Sequence, residues 1–298
     1  MTYLITGANG FVGKSLCTLL ENSEYLIRRN HQRMNAMDWS QELLSVDTVI
    51  HLAARVHVMQ DTSADPLTEF RAVNVSGTLN LARQAAAAGV KRLVFLSSIK
   101  VNGEFTLPNQ PFTADKTNPQ DPYGISKYEA EIGLRKISDE TGMQVVIIRP
   151  PLIYGEGVKA NFASLLRIVK RGLPLPLGAV RENRRSFVAL DNLVDLIITC
   201  INHPNAANQT FLVSDNEDVS TADLLRKMAV AQGITSRLLP VPVALLNLCA
   251  KLTGKQAIAQ RLLGNLEVDI SHTQKLLDWQ PIISLEEGLR RAVSQAFK

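Results

Sequence analysis

Thr6-Gly7-Ala8-Asn9-Gly10-Phe11-Val12-Gly13 constrains this chain more than any other run. Its glycines recur at every third position, a β-branched and aromatic segment (Tyr3–Thr6) precedes it, and Phe11–Leu20 follows with helical periodicity. Gly7 permits a tight strand-to-helix turn, Gly10 lets backbone approach a pyrophosphate, and Gly13 allows close helix–strand packing. A helix opening there offers unpaired N–H groups and a positive dipole end to phosphate oxygens. The run therefore predicts a βα unit that holds a dinucleotide.

Further apolar runs of strand length follow at Tyr25–Ile27, Thr48–Leu52, Leu93–Leu96 and Val145–Ile148, each bounded by polar or turn residues. Helix-forming stretches at Phe70–Ala88 and Tyr123–Thr141 separate the later ones. Continuous apolar strands alternating with helices predict a parallel sheet covered on both faces, the doubly wound (Rossmann) α/β class. After Pro150-Pro151 the pattern changes to shorter strands and helices, among them Asn161–Arg171, Ser186–Leu190, Asp191–Asn202, Thr210–Val213, Thr221–Gln232 and Leu285–Phe297. We expect residues 1–155 to form the dinucleotide-binding domain, with 184–203 returning to it. Residues 156–183 and 204–298 are expected to form a smaller mixed α/β substrate lobe. Val241–Leu252 is too short to span a bilayer and reads as a buried helix.

The 298 residues carry a net charge of +4, mild for this length, and aromatic residues are scarce, so nucleic acid is not an expected partner. Cys17, Cys200 and Cys249 lie far apart without metal-ligand spacing and read as buried thiols in a reducing compartment, which with the absence of a leader predicts a cytoplasmic protein. No metal and no membrane insertion are expected.

Tyr123 and Lys127 stand four residues apart, so on a helix they share a face. A lysine near a tyrosine favours the phenolate and makes a usable base of a group that ordinarily titrates near pH 10. Ser98 ends the Leu93–Leu96 strand, at the carboxyl edge where open α/β sheets bind ligands, and its hydroxyl can bond the same substrate oxygen as Tyr123. Ser97 is the neighbouring alternative.

The chain resembles the extended short-chain dehydrogenase/reductases, specifically the nucleotide-sugar epimerases, dehydratases and reductases. The glycine turn, His51-Leu-Ala-Ala54, Asn74-Val-Ser-Gly-Thr78, Leu96-Ser97-Ser98 and Tyr123-x-x-x-Lys127 carry the likeness. Arg149-Pro-Pro-Leu-Ile-Tyr154-Gly155 and Arg184-Arg-Ser-Phe-Val-Ala-Leu-Asp191 continue it, and it fades after about residue 240. The resemblance implies Ser98, Tyr123 and Lys127 as catalytic residues. It implies cofactor contacts from Gly7, Asn9, Gly10, Phe11, Val12, Gly13, Leu52, Ala53, Ala54, Asn74 and Pro150, with Tyr123 and Lys127 also touching the cofactor. Asp38 matches the acid that meets the adenine amine. No acid follows the second strand, where an NAD-selecting carboxylate stands; Arg28 and Arg29 are there instead and can pair with a 2′-phosphate, so NAD and NADP both stay open with NADP favoured.

On the substrate side the resemblance implies Asn161 and Phe162 for the nucleotide diphosphate and Arg184 as a clamp, with Arg185 beside it and Arg261 as a second clamp. Lys100 is either a substrate contact or a solvated lysine. His57, Asn102 and Tyr154 line the sugar pocket or serve as packing; His51 reads as structural. Sugar-nucleotide dehydratases carry Asp and Glu where this chain has Ile99 and Lys100, and isoleucine cannot transfer a proton, so dehydration is not expected. The expected activity is 4-epimerisation of a UDP-hexose or UDP-N-acetylhexosamine. The rival is NAD(P)H-dependent reduction of a UDP-4-keto-6-deoxy-N-acetylhexosamine, and a third reading is a non-catalytic NADP sensor. Relatives often pair through the helix bearing Tyr123, which implies a homodimer.

Overall fold

The computed structural model describes residues 1–21, 26–30, 37–56, 65–158 and 160–296; side chains at 22–36, 57–64, 159–161 and 295–298 are outside the description. The first half alternates as the apolar runs predict: β1 (Thr2–Thr6), α1 (Phe11–Glu21), β2 (Leu26–Asn30), β3 (Thr48–His51), α2 (Pro66–Phe70), α3 (Thr78–Ala87), β4 (Arg92–Leu96), α4 (Pro122–Thr141) and β5 (Gln144–Arg149). The second half runs β6 (Leu152–Tyr154), α5 (Ala160–Lys170), β7 (Phe187–Ala189), α6 (Leu190–Asn202), β8 (Thr210–Leu212), α7 (Thr221–Ala231), α8 (Val243–Leu252), α9 (Gln256–Leu263), α10 (Ser271–Leu277) and α11 (Leu285–Ala296). Between α2 and α3 the single helix expected over Phe70–Ala88 is interrupted by a π-helical stretch, Arg71–Gly77, on which Asn74 lies.

Six parallel strands form the main sheet in the order β2-β1-β3-β4-β5-β8. The chain leaves β1 in one direction to β2 and in the other to β3, so the order reverses there, and crevices at such reversals bind ligands. The register places Thr6 opposite both Asn30 and His51, aligning the carboxyl ends around the glycine turn. Successive strand side chains point to opposite faces. Tyr3, Ile5, Val94, Val146 and Ile148 accordingly join a core with α1 and α6, whereas Leu4, Leu93, Phe95, Val145 and Ile147 join another with α3 and α4. A third core, around Tyr154, Phe162, Phe187, Leu225 and Leu289, lies beneath the two-stranded β6–β7 sheet.

Three expectations are corrected. Thr210–Leu212, assigned to the substrate lobe, pairs with β5 and completes the main sheet. Val241–Leu252 holds a helix, Val243–Leu252, but none of its residues is buried. Cys249, on that helix, is exposed, unlike Cys17 and Cys200.

Candidate active site

The turn at Gly7 is built backbone on backbone. Gly7 has φ +72°, and a Cβ there would lie 2.7 Å from the Ala53 nitrogen, so the turn is pressed against the segment that leaves β3. Gly13 packs on the turn itself: its Cβ would lie 2.3 Å from the Gly7 oxygen. That oxygen accepts from the Gly10 N–H at 2.8 Å. Asn9 and Gly10 are exposed, Phe11 is half-buried, and the Val12 side chain belongs to the core, so Val12 offers a ligand only its backbone. Leu52 and Ala53 donate to Thr6 through their N–H groups and with Ala54 form the half-buried wall of this crevice.

The candidate catalytic residues are positioned by the start of α4. Asp121 caps the helix by accepting from the Gly124 N–H at 2.6 Å, and Pro122 occupies the first turn, where its missing N–H costs nothing. A Cβ on Gly124 would lie 2.7 Å from the Lys100 carbonyl oxygen, so only glycine lets α4 approach the segment after β4 this closely. Tyr123 and Ser98 thereby become neighbours at the carboxyl edge of the sheet. Ser97 is excluded from that role: its hydroxyl donates to Glu131 at 2.5 Å and is buried. The Phe70 ring meets Tyr123 edge-on at 5.9 Å and fixes the phenol laterally.

The electrostatics differ from the simple reading of the Tyr/Lys spacing. Burial pushes the Tyr123 phenol up to about 12, the nearby Ser98 hydroxyl opposes this, and the Asp121 carboxylate adds to it. Lys127 is 2 % exposed, and burial drives it down to about 7 against the pull of Glu131. Its ammonium lies 4.1 Å from the centroid of the Phe95 ring and makes no hydrogen bond among the described residues. Desolvation outweighs any mutual help because both groups have lost water.

Surrounding side chains hold this arrangement. His51 is fully buried, bonded at Nδ1 to the Thr6 hydroxyl (2.6 Å) and at Nε2 to the Thr78 hydroxyl (2.9 Å). Burial, with the nearby Lys127 charge, lowers it to about 3, so it is a neutral structural residue. Asn74 is not free to meet a cofactor, since its amide accepts from Arg55 N–H and donates to the Arg55 carbonyl and to Ser126. Ser126 in turn donates to the Tyr123 carbonyl, so Asn74 ties the β3 crevice to the catalytic helix. Pro150 is buried, and its carbonyl accepts from Ile99 N–H at 2.9 Å. Asp38 is exposed, its carboxylate accepting from Ser40 N–H. Lys100 is a half-buried lysine paired with Glu104 and, at 3.2 Å, with Asp121.

The substrate-side residues divide. The Phe162 ring is core, stacked on Tyr154 at 5.1 Å, and Tyr154 donates to Asp215 at 2.6 Å; neither ring lines an open pocket. Asn102 is buried, bonded to Arg149 and to the carbonyls of Thr113 and Lys116. Arg184 is exposed and folds back on the Arg181 carbonyl. Arg185 is instead half-buried, donates to the Gly264 carbonyl at 3.1 Å, and lies in the field of Arg261. Burial first and the Arg261 charge second lower Arg185 to about 10. The side chains of Arg28, Arg29 and Asn161, and all of His57, lie outside the described residues.

Sequence reasoning missed Gly124, Asp121 and Glu131 as positioning residues. Asp121-Pro122 was legible as a helix start, and a glycine inside a helical pattern signals a close approach. Nothing local marked Glu131, whose partners Ser97 and Arg149 are distant in sequence.

Comparisons with known proteins agree with this geometry. Residues 3–214 match the model of the NAD dependent epimerase/dehydratase family. The chain is 49% identical over 311 aligned residues to the UDP-glucose 4-epimerase of Vibrio cholerae, covering 99% of this chain and 94% of that protein. Its fold superposes on UDP-glucuronic acid 4-epimerase from Bacillus cereus in complex with NAD (TM-score 0.80, 19% identity, 100% and 99% covered). It also superposes on RMD from Pseudomonas aeruginosa complexed with NADPH (TM-score 0.79, 21% identity, all of both chains covered).

Proposed function

The chain belongs to the NAD dependent epimerase/dehydratase family, and on that premise we propose that it is an NAD(P)-dependent 4-epimerase of a UDP-hexose or UDP-N-acetylhexosamine. The observation that carries the reading is the placement of Ser98 and Tyr123 together at the carboxyl edge of the sheet, one helical turn from an unbonded, buried Lys127. The 49% identity to a UDP-glucose 4-epimerase supports the direction of the chemistry.

The residues present fit a dinucleotide. At Gly10 the exposed crest of the glycine turn is bare backbone, and a Cβ there would lie 3.0 Å from the Gly7 oxygen. The first-turn N–H groups of α1, including those of Phe11 and Val12, suit the pyrophosphate. Lys127 has an ammonium in want of acceptors, which ribose hydroxyls would supply. When bound, the cofactor would supply a hydride acceptor and donor for the sugar C4 and, in its oxidised form, a positive charge. Tyr123 accepts the C4 hydroxyl proton and later returns it, while Ser98 bonds the same oxygen. A phenol raised to about 12 holds its proton until a nearby cation lets it release that proton to water, and only the resulting phenolate takes the C4 hydroxyl proton, so proton transfer is tied to a loaded site. Arg185 and Arg261 form the clamp for the diphosphate, in place of Arg184. Arg28 and Arg29, with no acid after β2, favour NADP.

The purified protein would be assayed with UDP-glucose and UDP-N-acetylglucosamine without added cofactor, following the 4-epimeric product. Turnover that disappears in Tyr123→Phe is expected. Turnover seen only with a UDP-4-keto-6-deoxy sugar and NADPH would replace the epimerase by a reductase. Binding of NADPH without either turnover would make the protein a sensor.

A further inference from the structure

The helical hairpin α8–α9 gathers several exposed large apolar side chains. Leu245, Leu248 and Leu252 are 49, 52 and 78 % exposed, and Ile258 on α9 is 54 % exposed. On α8, Val243, Asn247 and Ala250 recur at helical spacing and face Ala259, Gln260 and Leu263 of α9 across a cavity of about 420 Å³. Leu245, Leu248, Cys249 and Leu252 recur on the opposite side of α8 and are therefore turned away from the protein.

Charge identifies what covers this face. From Leu224 to Leu266 the chain holds six basic residues and no acidic one. Arg226 and Lys227 are neutralised by Asp223, Glu217 and Glu286. Lys251 and Lys255, at the end of α8 and in the turn to α9, have no ion-pair partner among the described residues. A two-fold contact between copies would set this patch against itself, bringing unpaired lysines together with no carboxylate in the segment to meet them. An anionic lipid surface suits both features: leucines enter the boundary of the acyl chains and lysines meet the headgroups.

We propose that α8–α9 is a peripheral docking surface for an anionic lipid bilayer, with Leu245, Leu248 and Leu252 inserted and Lys251 and Lys255 at headgroup level. Among the described residues no helix is long and apolar enough to cross a membrane, so the contact is interfacial. It holds the enzyme at the membrane while the Tyr123 site, on the main sheet, is untouched by the variants below.

The test sediments the full chain with vesicles of phosphatidylglycerol and phosphatidylethanolamine, and with phosphatidylcholine vesicles as control. An environment-sensitive fluorophore is attached to Cys249, the exposed cysteine. Binding to the anionic vesicles only, weakened by salt and accompanied by a blue shift at Cys249, is expected. Lys251→Gln with Lys255→Gln should lower the vesicle affinity roughly fivefold per charge, about 25-fold together. Leu245→Gln, Leu248→Gln and Leu252→Gln combined should abolish binding and the blue shift, with melting temperature and turnover unchanged. Failure of the wild-type chain to bind anionic vesicles overturns the proposal. So does a dimer in gel filtration that the triple variant splits, which would make a second copy the occupant.

Discussion

Glu131→Gln tests whether the ion pair beneath the active site holds its geometry. Glu131 accepts from Ser97 Oγ at 2.5 Å, Arg149 Nε at 3.0 Å and Arg149 Nη2 at 2.6 Å, with both charged side chains essentially out of water. Glutamine keeps the shape but removes the charge, and it turns one oxygen into a donor that faces other donors. Arg149 is then left with only the neutral acceptors Asn102 Oδ1 and the Ala114 carbonyl, each at 3.1 Å. Removing one partner of a buried pair costs about 3–5 kcal/mol. At about 2–4 °C per kcal/mol for a chain approaching this size, the melting temperature should fall by roughly 6–20 °C. Trp39 and Trp279 are buried in the cores on the two faces of the sheet, so their fluorescence reports the transition on both sides. Replacing both partners, Glu131→Met with Arg149→Met, should recover stability relative to the single variant, because no unpaired charge is left. A second readout separates this from generic damage: Glu131 holds the Lys127 pKa up against burial. Its loss lets that pKa fall further, so the alkaline limb of kcat moves to lower pH. A Glu131→Gln chain melting within about 2 °C of wild type would refute the argument.

Ser98→Ala should lower kcat about a hundredfold with little change in KM, the cost of one lost oxygen contact in the transition state. Ser97→Ala should instead spare kcat and destabilise by about 1–3 kcal/mol, through the unmet Glu131 acceptor; the opposite ranking would exchange their roles. Arg185→Ala should raise KM for the UDP-sugar by roughly 10- to 100-fold, a charged hydrogen bond's worth, and Arg184→Ala should leave KM close to wild type. His51 is neutral when folded, being lowered to about 3, but takes a proton near pH 6.5 when unfolded. Its contribution is intact above pH 6.5 and lost at about 1.4 kcal/mol per unit as pH falls toward 3. Urea melts of wild type and His51→Gln across that range should therefore converge at low pH; parallel curves would show that His51 does not titrate as its burial requires.

Much of the fold is legible because buried parallel strands must be apolar on both faces. Leu93-Val94-Phe95 and Val145-Val146-Ile147 stand out as runs for that reason, and their alternate side chains do divide between the two cores. Helix starts announce themselves through caps, as at Asp121 before α4 and Ser220, whose hydroxyl bonds Asp223, before α7. Thr210–Leu212 was misplaced because a three-residue strand carries no mark of the partner it meets some sixty residues back in the chain. The buried reading of α8 failed for a related reason. An apolar helix reveals what it withdraws from water, and says nothing of whether the cover is the protein's own core or another surface.

At the site, position was legible and electrostatics were not. Four-residue spacing and a strand-end serine suffice to bring Tyr123, Lys127 and Ser98 to one edge, since helix and strand periods are fixed by backbone geometry. The choice between neighbours depended on side chains far away. Ser97 is spent on Glu131, 34 residues on, and Arg184 and Arg185 differ because a chain bridged to Val219 and Leu266 sends successive side chains to opposite faces. The sign of the Tyr123 shift was lost for the same reason. Proximity of Lys127 is written in the spacing, but desolvation is a property of everything packed around both groups, and it raises the phenol and lowers the ammonium together. A pair tuned in this way resists charging until a ligand brings charge and acceptors with it, so in the proposed reaction Tyr123 becomes a usable base only through the binding event that delivers the substrate oxygen.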